Sequence, residues 1–131
     1  MGARILVVEN NAANLELMVY LLTAFGHTAL SARDGEEGLE AAFRERPDLI
    51  VCDIQLPKLD GYGIIRRLKA DPECRAIPTI AVTAFAMVGD RDRLLEAGFD
   101  GYLAKPITPE TFVQQLESFL AASRTHPPDS R

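Results

Sequence analysis

Glu9, Asp53, Thr83 and Lys105 lie far apart in the chain, yet their side chains are a set that can act together on phosphate. A carboxylate such as that of Asp53 is ionised at neutral pH, so it needs no general base to become a nucleophile. It can attack phosphorus and retain the phosphoryl group as an acyl phosphate. A neighbouring acid such as Glu9 can hold Mg²⁺, which screens the approach of an anionic donor to an anionic nucleophile. Lysine and threonine can then grip the phosphoryl oxygens. Singly, each residue has an ordinary reading. An Asp at the end of a strand is a helix cap or a solvated turn residue, Thr83 a common β-former, and Lys105 a surface lysine. Asn10 and Asn11 fit as caps of a following helix, a role that suits Asn11 best. Only delivery of all of them to one place gives the chemistry.

Five short aliphatic runs can make that delivery: "RILVV" at 4–8, "TALSA" at 28–32, "LIVCD" at 49–53, "TIAVT" at 79–83 and "GYLA" at 101–104. Each has the length and β-branched content of a strand. Between them run helical periodicities. The first places Leu15, Met18, Leu22 and Phe25 on one face and stops at Gly26. The second begins at Asp34, with Glu37 as a capping-box partner, and ends before Pro47. The third spans Gly61 to Ala70, carries Ile64, Ile65 and Leu68, and is closed by Asp71-Pro72. The fourth lies around Val88 to Ala97 with Gly98 as its C-terminal cap. "TPE" announces the fifth, with Thr108 as cap and Pro109 in the first turn, ahead of Phe112, Leu116, Phe119 and Leu120. Strands alternating with helices require a mainly parallel sheet covered on both faces. Ligands in such sheets sit beyond the carboxyl ends of the strands, where Glu9, Asn10, Asp53, Thr83 and Lys105 all fall.

Composition excludes several other classes. With 131 residues, 47% hydrophobic and 25% charged, the chain suits one domain with one core. The net charge of −5 and the absence of any basic run argue against direct nucleic-acid binding. Cys52 and Cys74 have no CxxC spacing and no histidine cluster, so neither a disulfide framework nor a zinc site is expected. The sequence offers no membrane span and no signal-peptide h-region, so a cytoplasmic protein without membrane contact is expected. The tail "SRTHPPDSR", residues 123–131, lacks apolar periodicity and is expected to fray after a domain covering 1–122.

On the segments "ILVVEN", "VCDIQLPKLDG", "AVTAFA" and "GYLAKPI", the chain resembles the receiver domains of two-component response regulators, over residues 4 to about 121. It is most similar to free-standing receivers with "DIQLP" and "VTAFAM" segments, of the kind used in bacterial cell-cycle control and polar signalling. The resemblance implies a doubly wound (βα)5, flavodoxin-like and CheY-like α/β fold with strand order 2-1-3-4-5. It implies that Asp53 is the phosphoacceptor, that Thr83 is the hydroxyl turning toward the phosphoryl group, and that Lys105 pairs with it. It further implies a cis Lys105-Pro106 bond, and Mg²⁺ held by Glu9, Asn10, Asp53 and the backbone carbonyl of Gln55. Tyr102 matches the aromatic switch that turns inward as the threonine moves; by itself it reads equally well as an amphipathic surface aromatic. The implied partners are a histidine kinase or phosphotransfer protein, meeting the face of helix one near Asn11, Asn14 and Leu15, and a downstream protein contacting helix four, strand five and helix five. Phe85, Met87 and Tyr102 are candidate contacts on that surface, since "AFAMV" is apolar where a solvated loop is expected; packing beneath the loop is the other reading.

The departure from the family pattern is Asn10, where the second acid is ordinarily an aspartate. Asparagine keeps a carbonyl oxygen but removes one negative charge, so weaker Mg²⁺ binding is expected. Two readings follow: a working receiver phosphorylated on Asp53, which is not an enzyme beyond its own phosphorylation and dephosphorylation, or a receiver-shaped binding module with little Mg²⁺-dependent phosphorylation. A small phosphatase is a third, but Gln55 stands where such an enzyme needs a second acid. A flavin module fits poorly, because Asp53 would repel the flavin phosphate and no Ser/Thr/Gly-rich loop follows strand one.

Overall fold

The computed structural model of the chain describes residues 2–84 and 88–125. Strands and helices alternate as β1 (Arg4–Val8), α1 (Ala12–Ala24), β2 (Thr28–Ala32), α2 (Gly35–Glu45), β3 (Leu49–Asp53), α3 (Gly61–Ala70), β4 (Thr79–Thr83), α4 (Val88–Ala97), β5 (Gly101–Ala104) and α5 (Pro109–Thr125). All strand pairs are parallel and the sheet order is β2-β1-β3-β4-β5, as the sequence resemblance implied. The direction of winding reverses between β1 and β3, which opens a crevice at their carboxyl ends.

Alternation along the strands sends successive side chains to opposite faces and so divides the core in two. Ile5, Val7, Leu49, Val51, Ile80 and Val82 pack with α1 and α5 residues such as Met18, Leu22, Phe112 and Leu116. Leu6, Val8, Ile50, Cys52 and Ala81 pack on the other face with Leu39, Ile64, Ile65, Leu68 and Leu94. Both cysteines are free and buried there, with the Cys74 thiol pushed up to about 11, mainly by burial.

The helix starts follow local chemistry. Asn11, Asp34 and Asp60 cap α1, α2 and α3, accepting from the backbone N–H groups of Asn14 (2.9 Å), Glu37 (2.8 Å) and Gly63 (2.9 Å). Each such bond satisfies one donor that the helix leaves orphaned and contributes about 1 kcal/mol. The capping box at α2 is displaced by one residue: Glu37 Oε1 accepts from the N–H of Arg33 at 2.8 Å instead of from Asp34. Gly26 and Gly98 adopt positive φ, +88° and +117°, just past the ends of α1 and α4.

Two further sequence expectations need correction. Phe25 does not lie on the buried face of α1. It is the C-cap residue and 62% exposed, and Leu21 takes the core position, because the chain leaves helical geometry one residue before Gly26. Helix α5 runs to Thr125, so the first three residues of the "SRTHPPDSR" segment are helical, and residues 126–131 lie outside the described part of the chain.

The loop after β3 is held against α2 by a close backbone approach. Gly35 N–H donates to the Pro57 carbonyl at 3.2 Å, and a Cβ at Gly35 would fall 1.7 Å from the Leu59 carbonyl oxygen. Gly35→Ala is therefore expected to destabilise the protein by about 2–4 kcal/mol, since backbone must move to accommodate the methyl. Urea denaturation measures this, and an unchanged midpoint would contradict it.

Candidate active site at the carboxyl edge of the sheet

The hydrogen-bond ladder continues one step beyond the strands and fixes the backbone of the site. Glu9 N–H donates to the Ala32 carbonyl at 3.0 Å, Ile54 N–H to Val82 at 3.2 Å, and Lys105 N–H to Thr83 at 2.8 Å. Asp53 pairs with Val82 and Thr83 with Ala104 in the parallel register. Strand parity then sorts the side chains. Glu9 continues the Ile5–Val7 row, Asp53 the Leu49–Val51 row and Lys105 the Leu103 row, all on the α1/α5 face. Thr83 follows Ala81, and Tyr102 packs with that same half of the core, on the side that carries Leu94 of α4.

Lys105 is the centre of the cluster. Its Nζ donates to Asp53 Oδ2 at 2.9 Å and lies 3.4 Å from Glu9 Oε2 and 3.3 Å from Glu9 Oε1. Glu9, Asp53 and Thr83 are 1%, 5% and 4% exposed. Burial by itself would lower the Lys105 ammonium, but the hydrogen bond and charge of Asp53 outweigh it and hold the lysine above its ordinary range. Glu9 is raised, chiefly by burial and further by the Asp53 charge, against the opposing pull of the Asn11 N–H and of Lys105. The remaining Asp53 oxygen, Oδ1, accepts a long bond of 3.3 Å from Gln55 N–H.

Glu9 Oε2 also accepts from Asn11 N–H at 3.0 Å, so Asn11 both caps α1 and, through its backbone, orients the acid. Among the described residues Glu9 Oε1 is fully buried without a hydrogen-bond donor, with the Lys105 ammonium as its ionic neighbour. A buried carboxylate oxygen of that kind is suited to a cation. The donors that surround it are oxygens, which favour Mg²⁺ over softer metals. Among the described residues no group of three or more His, Cys, Asp or Glu is placed to hold a metal. An ion here would thus rest on two carboxylates supplemented by amide or backbone carbonyl oxygens and water, an arrangement Mg²⁺ accepts. Asn10 is exposed at the rim.

The raised Glu9 has a consequence for stability. A carboxylate raised in the folded state favours folding at low pH and loses that contribution as pH rises through its folded value. Glu9→Gln, which cannot ionise, is expected to stabilise the metal-free protein at pH 7 by about 0.5–2 kcal/mol. The gain should shrink toward zero below the unfolded carboxylate range, and urea denaturation across pH 4 to 8 tests it. A gain that grew at low pH would reverse the sign of this account.

The structure brings together Glu9, Asp53 and Lys105, with Thr83 at the adjacent strand end, and the Lys105-Pro106 bond is cis. Tyr102 is half-buried, with the Arg91 guanidinium 5.6 Å from its ring centroid. Phe85 and Met87 lie outside the described residues. Sequence reasoning missed the Gln55 N–H on Asp53, the Asn11 N–H on Glu9 and the contact of Arg91 with Tyr102. The first two are backbone donors, and no residue type announces them.

The response regulator receiver domain family matches residues 5–117, and the chain belongs to that family. Accepting a phosphoryl group from a histidine kinase is the general function of receivers, which are signalling proteins and not enzymes in the ordinary sense. Within the family, the chain is 42% identical over 120 residues to the polar-differentiation response regulator DivK of Brucella anthropi, covering 92% of this chain and 98% of that one. DivK of Brucella ovis matches to the same extent. The receiver domain of the sensor histidine kinase PA1611 from Pseudomonas aeruginosa superposes with a TM-score of 0.84 at 36% identity, covering 92% of this chain and 99% of that one, and its structure holds magnesium in the active-site cleft. The chemotaxis response regulator CheY4 of Vibrio cholerae shares the fold, with a TM-score of 0.86 over 91% and 99% of the two chains at 24% identity. Among the described residues no helix is long and apolar enough to cross a membrane.

Proposed function

We propose that this chain is a DivK-like receiver that takes a phosphoryl group on Asp53 from a phosphohistidine donor and signals through the face formed by α4, β5 and α5. The observation that carries the reading is the ion pair of Lys105 with a buried Asp53 at 2.9 Å, beside a buried Glu9. Lys105 commits Asp53 Oδ2, while among the described residues Oδ1 has only the long bond from Gln55, so Oδ1 is the freer oxygen to attack. The new P–O bond forms as the P–N bond of the donor breaks, and the imidazole nitrogen keeps the electron pair and takes up a proton. Lys105 then turns from the carboxylate toward a phosphoryl oxygen, and the Thr83 hydroxyl donates to another. Because Thr83 and Tyr102 share the α4 side of the sheet, a movement of the hydroxyl reaches the ring without crossing the core.

Glu9, Asp53, Asn10 and the Gln55 carbonyl would hold Mg²⁺, which supplies charge screening for the transfer. With Asn10 in place of an acid, this ion binds weakly. The donor meets α1 near Asn11, Asn14 and Leu15, next to the site. Incubation with a small acyl-phosphate donor and millimolar Mg²⁺ should add about 80 Da to the intact mass, the increment of one phosphoryl group on an aspartate. Fragment masses should place it on the peptide that contains Asp53. No adduct at saturating Mg²⁺, or an adduct on another residue, overturns the reading in favour of a module that binds without phosphorylation.

A further inference from the structure

Helix α4 is held to the domain by few buried side chains. Among its described side chains only Leu94 is fully buried, and Leu95 is half exposed. Ala97 packs partly against the same half of the core, and two arginines add side-chain contacts to the neighbouring elements. Residues two apart on a helix do not share a face, so Arg91 and Arg93 reach opposite neighbours. The Arg91 guanidinium lies 5.6 Å from the ring centroid of Tyr102 on β5, and that of Arg93 lies 5.3 Å from the ring centroid of Tyr62 on α3.

These contacts differ in how they are backed. Tyr62 also meets Phe99 edge-on, at 6.3 Å and 78°, and Arg93 lies 3.9 Å from the Asp90 carboxylate. Among the described residues Arg91 makes no ion pair and Tyr102 has no second aromatic neighbour. Among the described residues the Tyr62 side is therefore a braced joint, whereas the Arg91 contact on the Tyr102 ring has no such backing.

We propose that Arg91 is a latch on the switch, seated on Tyr102 so that the ring keeps its half-buried position until the guanidinium leaves. The inference rests on the reading of Thr83 and Tyr102 as the switching pair. A cation over an aromatic face at an exposed site shifts a two-state ratio by about two- to five-fold. That is enough to bias a resting population and little enough for a phosphoryl group to reverse. Arginine suits the task because its planar head stacks on the ring, while lysine offers only a point charge.

Fluorine NMR on chain labelled with 3-fluorotyrosine tests this directly. The sequence has three tyrosines, so the resonances of Tyr20, Tyr62 and Tyr102 can be assigned by single Tyr→Phe replacements. Beryllofluoride with saturating Mg²⁺, a phosphoryl mimic, should move the Tyr102 signal. Arg91→Ala without the mimic should move it part of the way to that position, by about two- to five-fold in the ratio of the two states, and Arg91→Lys should recover part of the shift. Arg93→Ala should move Tyr62 and leave Tyr102 in place, which separates a latch from general loosening of α4. If Arg91→Ala leaves Tyr102 unmoved while beryllofluoride still shifts it, the latch is overturned and the switch stands. If beryllofluoride moves Tyr102 neither in the natural chain nor in Asn10→Asp, the switch reading fails and the latch with it.

Discussion

Asn10→Asp is expected to tighten Mg²⁺ binding about ten- to a hundred-fold, a gain of roughly 1.4–2.8 kcal/mol. Glu9, Asp53 and Lys105 together carry one net negative charge, and a carboxylate at position 10 doubles it. Two unit charges about 4 Å apart interact by roughly 4 kcal/mol at an effective dielectric near 20, and a divalent ion doubles the attraction. Much of this is lost again. The new carboxylate must shed water, it repels Glu9 and Asp53, and position 10 is exposed, where solvent screens the charge. The remainder has a clear sign. Without metal the variant should be less stable than the natural chain, because a third negative group joins two buried ones. With saturating Mg²⁺ the order should reverse, since an ion that binds only the folded state adds stability that grows with the logarithm of its concentration relative to its Kd. Isothermal titration with Mg²⁺ and melting curves with and without the ion check both halves. Equal affinities in the two chains would remove the charge argument.

If Asp53 is phosphorylated as proposed, the same reasoning accounts for it without an acid at position 10. Lys105 already screens Asp53 at 2.9 Å, so part of the charge compensation that receivers assign to the ion is built into the protein. Asn10 shifts the balance further toward the lysine. Phosphorylation of this chain should depend more steeply on Mg²⁺ concentration in the millimolar range than that of Asn10→Asp, which would be nearly saturated there.

The elements were legible because each signal was local. Strand limits followed from aliphatic runs that stop at polar residues, and helix starts from Asn11, Asp34 and Asp60, whose oxygens do cap the turns that follow. Where two local rules competed, the sequence misled. Phe25 has the helical spacing of a core residue, but the turn into Gly26 carries it out to solvent, and Leu21 is buried instead. The site was legible as residue types at strand ends, while its electrostatics were not. Parity put Glu9, Asp53 and Lys105 on one face, yet no spacing rule could show that, among the described residues, Glu9 keeps one oxygen without a donor or that a single ammonium serves both acids. Those facts depend on the two carboxyl groups being brought together from β1 and β3, a distance in sequence over which patterns carry no information. The Arg91–Tyr102 contact escaped for a similar reason: it joins a helix to a strand across a loop turn, and an arginine on an exposed helix reads as solvation.

Lys105→Met should be the most damaging single change at the site, by about 3–5 kcal/mol at pH 7, the range seen when one partner of a buried ion pair is removed. Methionine keeps most of the stem but leaves Glu9 and Asp53 facing each other across a site where both are almost inaccessible to water. Two buried acids without a counter-ion repel each other, and Glu9, already raised by burial in the natural chain, is raised further once Lys105 no longer opposes it. The variant's stability is therefore fully present below the unfolded carboxylate range and is lost as pH rises through the raised Glu9 value. In the natural chain the lysine is itself raised by its partners, so its contribution persists through neutrality and is lost only as pH climbs through the lysine range. The gap between the two proteins should thus be widest near pH 7 to 8 and nearly closed near pH 4, measured by urea denaturation at each pH. Saturating Mg²⁺ should close part of the gap at pH 7, because an ion held by these acids would supply the missing positive charge. A gap independent of both pH and Mg²⁺ would mean that Lys105 acts through packing of its stem, and the charge-compensation account of this site would fail.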